Sequence, residues 1–347
     1  MGRVLCEVAM RGLIMTMRMH DGSALTSTHV SHQLPRFGEL SHVRIVSLAT
    51  MTGFSRHTWR KSCRFLFHGC FPPHTSFCHA RWYTLALTRQ VSPRLADAVS
   101  STSQEHISLL KAEQQHKDYV ECLKQILPVR ELPALTDHPD CCFVEDTVVV
   151  IGKKALLMRM GHDSRRMEVN YMANVLQSIT GLKVKDMRNM SETATCDGGD
   201  VLWTGRHVFV GQSERTNKEG VGVLQTFFSD WEVIAVPVSG ALHLKSLVTN
   251  MDRYTLVAPT GELGNALLED MQASARGYEV VRLPSMLACN VVTVNGTVLA
   301  QDVDCQESKW QLQEAADEAN LRLEFVNTSE LAKVDGALSC CSVLLDL

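Results

Sequence analysis

At 347 residues, with 45% of them hydrophobic, the chain is long enough to bury one large core or two small ones. A formal charge of −4 is too mild for a protein built to grip nucleic acid, and no run approaches the roughly 18 uninterrupted apolar residues of a membrane helix. Twelve cysteines are too sparse for a small disulfide scaffold, and the adjacent pairs Cys141–Cys142 and Cys340–Cys341 suit reduced thiols in a cytoplasmic setting.

Charge divides the chain near Trp82. Residues 1–82 hold ten Lys and Arg against three acids, whereas the remainder holds 24 against 35. Glu7 and Arg11 interrupt the first apolar stretch, which argues against a secretory signal. The Arg-rich, acid-poor composition fits a mitochondrial transit peptide or a disordered extension, and the lack of a clear amphipathic helix favours the extension. Cys63, His68, Cys70, His74, Cys78 and His79 cluster in "CRFLFHGCFPPHTSFCH" without the tight spacing of a structural zinc site, so no metal is expected there.

From residue 83 the elements follow a rhythm. "RWYTLALTRQ" reads as a strand, "ISLLKAEQQHKDYVECLKQIL" as a helix and "PVRELPAL" as a second strand. Next comes "FVEDTVVVIGKKALLMRM", two β-type runs about a turn, and then the helical stretch "SRRMEVNYMANVLQSITG". Its Met172, Val175, Leu176 and Ile179 share one face; Ser164 is the expected cap and Gly181 the expected stop. "LKVKDMR" closes this unit as a strand. The same ββαβ order returns from about residues 198, 244 and 288, a period of about 45–55 residues. A fifth unit is split: its missing strand is the C-terminal "CCSVLLDL", whose pairing with the first strand would close a ring and remove open edges. The reading is α/β, a five-bladed ββαβ propeller over residues 83–347 with a basic extension over 1–82. A doubly wound nucleotide-binding sheet is disfavoured because "GVGVLQ" does not complete G-x-G-x-x-G.

In such a ring the first strand of each unit points at the axis, so Glu145, Asp146, Asp197, Asp200, His243 and the Cys340–Cys341 pair converge. Each alone has an ordinary explanation: a solvated turn acid, a hydrogen-bonded core imidazole, a small buried thiol. Recurrence at equivalent places tips the balance toward a nucleophile, base and orienter set. If the last segment is a strand, Cys341 shares its phase with the apolar Val343 and Leu345, while Cys340 shares its phase with Ser342 and faces the axis.

Taken together, "PDCCFVEDTVVV", "SRR", "ATCDGGDVLWTGRHVFVGQSERTN", "VPVSGALHLKS" and "ELAKVDGALSCCSVL" resemble, in order and spacing, the dimethylarginine dimethylaminohydrolases of the pentein superfamily. The likeness spans about residues 83–347 and implies a pentein catalytic domain there. It implies hydrolysis of Nω,Nω-dimethyl- and Nω-monomethyl-L-arginine to L-citrulline and the methylated amine, which would relieve inhibition of nitric oxide synthase. By resemblance, Cys340 is the nucleophile, His243 the proton-transfer residue and Asp197 its orienting carboxylate. Glu145 and Asp146 hold the guanidinium, Asp140 the α-amino group, Arg165 and Arg215 the α-carboxylate, with the Val334 backbone and Asp335 completing the pocket. No metal or organic cofactor is implied. The expected partner is a small methylated arginine, neither nucleic acid nor membrane, and the chain acts as a monomer or weak homodimer.

The substrate explains these residue types. A guanidinium is planar, permanently charged and a poor electrophile, so carboxylates must bind it and a strong nucleophile such as a thiolate must attack it. Cys196 stands where the family usually has an aliphatic residue, and the lid should lie near residues 92–104. Rival readings are an arginine deiminase, an amidinotransferase, or a propeller that binds without catalysis; "FVED", "SERTN" and "SCCSV" fit the dimethylarginine hydrolases better.

Overall fold

The computed structural model describes residues 5–10, 13–18, 82–100 and 106–347, and the chain divides into two units, Met1–Ser76 and Phe77–Leu347. In the first unit Leu5–Met10 (β1) and Leu13–Arg18 (β2) pair as an antiparallel hairpin, which the composition of this segment did not suggest. The His and Cys cluster between Cys63 and His79, like the rest of the expected extension, lies outside the described residues.

The second unit consists of five three-stranded sheets. Val148–Ile151 (β5) runs antiparallel to Lys154–Leu157 (β6), which runs parallel to Lys183–Asp186 (β7). A parallel neighbour needs a crossover, and helix Glu168–Gln177 (α2) supplies it. The pattern repeats in Val201–Trp203, His207–Gln212 and Glu232–Pro237 about helix Lys218–Phe227, then in Thr249–Asn250, Thr255–Pro259 and Glu279–Leu283 about helix Glu262–Ser274. Val291–Val294, Thr297–Gln301 and Arg322–Val326 follow, with helix Gln306–Ala319. In the fifth sheet Val343–Leu345 pairs antiparallel with Leu85–Arg89 (β3), which is parallel to Val129–Leu132 (β4) across helix Leu109–Lys124 (α1). The two ends of the unit are therefore stitched together as the repeat required.

Local sequence accounts for the joints. Asn295 and Gly296, at φ 46° and 87°, form the two-residue connection between paired Val294 and Thr297, the turn chemistry an Asn-Gly hairpin demands. Asn217 caps its helix by accepting the Gly220 N–H at 2.8 Å. The expected cap at Ser164 is not one: Asp163–Arg165 forms a separate 3-10 turn, and α2 begins at Glu168 after Met167. That shift places Arg165 outside the helix, where its side chain can turn to the hub.

Burial is divided among five apolar clusters, each joining one sheet to the next. Leu156 and Met158 pack with Leu224 and Phe227; Phe209 with Leu267 and Met271; Val257 with Val298 and Leu312; Leu299 with Tyr119 and Leu123; and Leu87 and Val343 with Met172 and Leu176. Five seams between five sheets close a ring, since an open row would have four. The apolar burial that favours folding is concentrated in these seams, where each fully buried Leu, Met or Phe side chain contributes roughly 1.5–3 kcal/mol.

The hub departs from expectation in one respect. The polar residues placed on first strands instead occupy, or for Asp197 and His243 immediately precede, short 3-10 turns ahead of those strands: Val144–Thr147, Gly198–Asp200, Leu244–Ser246, Leu287–Cys289 and Ser339–Cys341. A strand would send successive side chains to opposite faces. A 3-10 turn, with about three residues per turn, separates them by roughly a third of a circle, so neighbours such as Glu145 and Asp146 reach different partners.

Candidate active site

Between these turns lies a narrow pocket lined by Val99, Asp140, Phe143, Asp146, Arg165, Asp197, Arg215, Leu242, His243, Val334, Asp335 and Cys340. Nine of the ten residues assigned by resemblance are in that lining. Glu145 is not. Its carboxylate takes the Lys245 ammonium at 2.5 Å and the Ser339 hydroxyl at 3.0 Å, behind the turn that carries Cys340.

His243 Nε2 donates to Asp197 Oδ2 at 3.0 Å, and Asp197 Oδ1 accepts the Gly161 N–H at 2.7 Å, so the orienting carboxylate is itself oriented. Burial alone would depress the imidazole. The neighbouring Asp146, the hydrogen bond to Asp197 and the charge of Asp200 outweigh it and raise the pKa to about 9. The ring is hemmed in by Gly199, whose added Cβ would lie 2.6 Å from His243 Nδ1 and 2.9 Å from Asp146 Oδ1. Glycine is required there by contact.

Asp146 receives Arg165 Nη1 at 2.7 Å and the Gly199 N–H at 2.9 Å. Burial would raise it, but the His243 and Arg165 charges hold it below the usual carboxylate range. Arg165 is nearly spent. Its Nε donates to Glu168 Oε1 at 3.2 Å, and its Nη2 to Glu168 Oε2 at 3.0 Å and to the Phe143 carbonyl at 3.1 Å. The half-buried Arg215 guanidinium, by contrast, has no hydrogen bond or ion pair with any described residue. Asp140, buried and therefore raised in pKa, accepts the Val99 N–H at 3.1 Å. Val99 belongs to the expected lid; of that segment, residues 92–100 are described, with Leu95 and Ala98 buried, and 101–104 lie outside the described residues.

Cys340 and Cys341 do not stand in a strand, so the alternation argument fails even though Cys340 does line the pocket. The two thiols diverge because they leave a 3-10 turn: Cys341 is fully buried among Leu338, Val334 and Cys142 and donates to the Ala337 carbonyl at 3.5 Å. Ser342 is corrected too. It points away from the hub, with its Oγ 2.8 Å from Tyr119 Oη of α1. Asn290 pins the turn, accepting the Ser339 N–H at 2.9 Å and donating to Ser339 Oγ and the Lys245 carbonyl, each at 3.0 Å. Burial, then the charges of Glu145 and Asp146, push the Cys340 thiol far above its ordinary range, with Lys245 opposing weakly. Asp335, at φ 58°, holds a left-handed conformation uncommon for a non-glycine residue, the kind of strain that gathers at functional sites. Cys196 faces inward to an apolar cluster and donates to its neighbour's carbonyl at 3.4 Å.

Sequence reading missed Glu168, Lys245, Asn290 and Ser339. Only Glu168 left a usable trace, an acid three residues after Arg165; the others meet their partners across blades. Asp146, Asp197 and His243 offer ligand atoms within 4.8 Å of one another, enough for a metal ion. Their oxygens are already engaged by Arg165, two backbone N–H groups and the imidazole, which fits a proton relay better than a cation cage.

Comparison with known proteins identifies the family. Residues 92–298 match the family model described as N,N dimethylarginine dimethylhydrolase, eukaryotic. The N(G),N(G)-dimethylarginine dimethylaminohydrolase of Streptomyces coelicolor is 34% identical over 264 residues, covering 75% of this chain and 96% of its own. The Pseudomonas aeruginosa enzyme, solved as a cysteine-to-serine mutant with citrulline, superposes with a TM-score of 0.67 at 26% identity over 76% of this chain and 99% of that one. A histidine-to-glycine variant of such an enzyme, solved as an adduct with S-methyl-L-thiocitrulline, gives a TM-score of 0.67 at 25% identity over the same 76% and 99%. The chain belongs to the N,N-dimethylarginine dimethylhydrolase family.

Proposed function

We propose that this protein hydrolyses Nω-methylated L-arginines to L-citrulline and the corresponding methylamine. The observation carrying the reading is the pocket itself, lined at once by one sulfur, one carboxylate-held imidazole, acids and an uncommitted arginine. Asp146 holds the guanidinium, Asp140 the α-amino group and Arg215 the α-carboxylate, helped by the remaining Nη1 hydrogen of Arg165. Glu145 acts from behind, holding Ser339 and Lys245 rather than touching substrate. Val334 and Asp335 complete the pocket lining.

The high thiol pKa gives the chemistry its order. With Asp146 and Glu145 nearby, thiolate is disfavoured until a cation enters, so the bound guanidinium helps to create the nucleophile that attacks it. Cys340 sulfur bonds to the guanidinium carbon, giving a tetrahedral adduct. His243 gives its proton to the departing amine as the C–N bond breaks, leaving a covalent thiouronium. The neutral imidazole then takes a proton from water, whose oxygen bonds to the same carbon; the C–S bond breaks and citrulline leaves. Each proton transfer is the kind of step that contributes about 10²–10⁴-fold.

The test is citrulline formation from Nω,Nω-dimethyl- and Nω-methyl-L-arginine, with unmethylated arginine and an acceptor amine as controls. Preference for unmethylated arginine, or transfer to the amine, would transfer the reading to a deiminase or an amidinotransferase. Consumption of methylarginines would in turn relieve nitric oxide synthase. The eight cysteines from Cys122 to Cys341, all free thiols, support a reducing, cytoplasmic location. Among the described residues no helix is long and apolar enough to cross a membrane.

A further inference from the structure

We infer that Asp200 is a positioning residue that ties the His243 loop and the Arg215 loop to one carboxylate, and so sets the length of substrate the pocket accepts. Asp200 is fully buried and does not line the pocket. Its Oδ1 accepts the N–H of Leu244, the residue after His243, at 2.9 Å. Its Oδ2 accepts two hydroxyls, Ser213 Oγ and Thr216 Oγ1, each at 2.6 Å. Those hydroxyls flank Arg215: Ser213 Oγ accepts the Arg215 N–H at 3.0 Å, and Thr216 Oγ1 accepts the Asp197 N–H at 3.2 Å. Imidazole, orienting acid and free guanidinium are therefore all referenced to one side chain.

This follows from the chemistry of a carboxylate. Only an anion with two acceptor oxygens can take an amide and two hydroxyls at once, and charge-assisted bonds of this length are short and stiff. The inference rests on the methylarginine reading above. In that substrate the reacting carbon and the α-carboxylate are separated by a fixed number of methylenes, so a rigid span from His243 to Arg215 measures chain length.

The experiment compares methylamine release from Nω-methyl-L-arginine and from its homologue with one more methylene, in wild type and in Ser213→Ala/Thr216→Val. This double variant loosens the Arg215 loop and frees the Asp197 N–H, while Gly161 still holds the Asp197 carboxylate and the Asp200 charge stays beside His243. Expected are a KM for methylarginine raised about tenfold, a kcat changed much less, and a length preference narrowed at least ~3-fold, from a starting discrimination of about 10–200-fold for one methylene. Thr216→Ser, which keeps the hydroxyl, restores wild-type values. A folded double variant with unchanged KM and unchanged length preference overturns the inference; should it fail to fold, Ser213→Ala alone, on the half-buried loop, decides by the same readouts. A wild-type protein that releases no methylamine from either compound overturns the underlying reading and this inference with it.

Discussion

Cys340 and Cys341 leave one 3-10 turn toward opposite surroundings, the first into the pocket with His243, the second into the core among Leu338 and Cys142. Their substitutions should separate cleanly. Cys340→Ala is expected to abolish citrulline formation without lowering the melting temperature. Cys341→Ser should keep turnover and destabilise the fold by about 1–3 kcal/mol, because it buries a hydroxyl where a thiol packed. Activity lost in the second variant but kept in the first would refute the choice of nucleophile.

Gly199 leaves no room for a methyl group against His243 Nδ1 or Asp146 Oδ1. Gly199→Ala should displace the imidazole and cost about 10²-fold in kcat, the scale of a 1 Å misplacement. Steady-state kinetics, with thermal melting to show the fold intact, would check it; an undiminished kcat would contradict the crowding.

The pH dependence has a definite sign. At rest both the thiol and His243 carry their protons, and attack requires that the pair lose one. The first loss belongs to the group with the lower pKa, His243 at about 9. For the free enzyme, kcat/KM should therefore climb by about tenfold per pH unit below that value. Bound substrate favours thiolate, so kcat should level off at lower pH. A kcat/KM profile flat from pH 6 to 9 would rule this out.

Tyr119 and Ser342 share a buried hydrogen bond on the far side of the nucleophile's turn. Tyr119→Phe leaves the Ser342 hydroxyl unpartnered and should cost about 1–3 kcal/mol in denaturant unfolding. Turnover at 25 °C should hardly change, since neither group touches the pocket.

His116 on α1 is buried, and its Nε2 lacks a partner among the described residues. Burial pushes its pKa down to about 4. Because its folded pKa lies below the unfolded value, stability is intact above about pH 6.5 and is lost progressively as pH falls toward 4, by about 1.4 kcal/mol per unit. Melting curves across that window should show the slope, and His116→Leu should flatten it.

Much of the fold was legible because the ββαβ order repeats, and because Asn295-Gly296 or Asn217 specify their turns locally. The hub was legible in membership but not in conformation. "FVED" and "SCCS" run directly into alternating strands, and nothing in one chain's pattern separates a terminal 3-10 turn from the strand it feeds. Cys340 was thus placed correctly for a mistaken geometric reason. The partnership of Glu145 with Lys245 was hidden differently, being decided by approach across blades, whereas that of Arg165 with Glu168 was local, three residues apart. Each ion pair consumes charges that the family motif alone would assign to substrate.

The strand that seals the ring, Val343–Leu345, begins three residues after Cys340, the proposed nucleophile. Sealing and arming are therefore a single event. A chain that has so far folded only the sheets before it would own the acids and the imidazole yet no attacking atom, so guanidino compounds in its surroundings stay safe until the circle shuts.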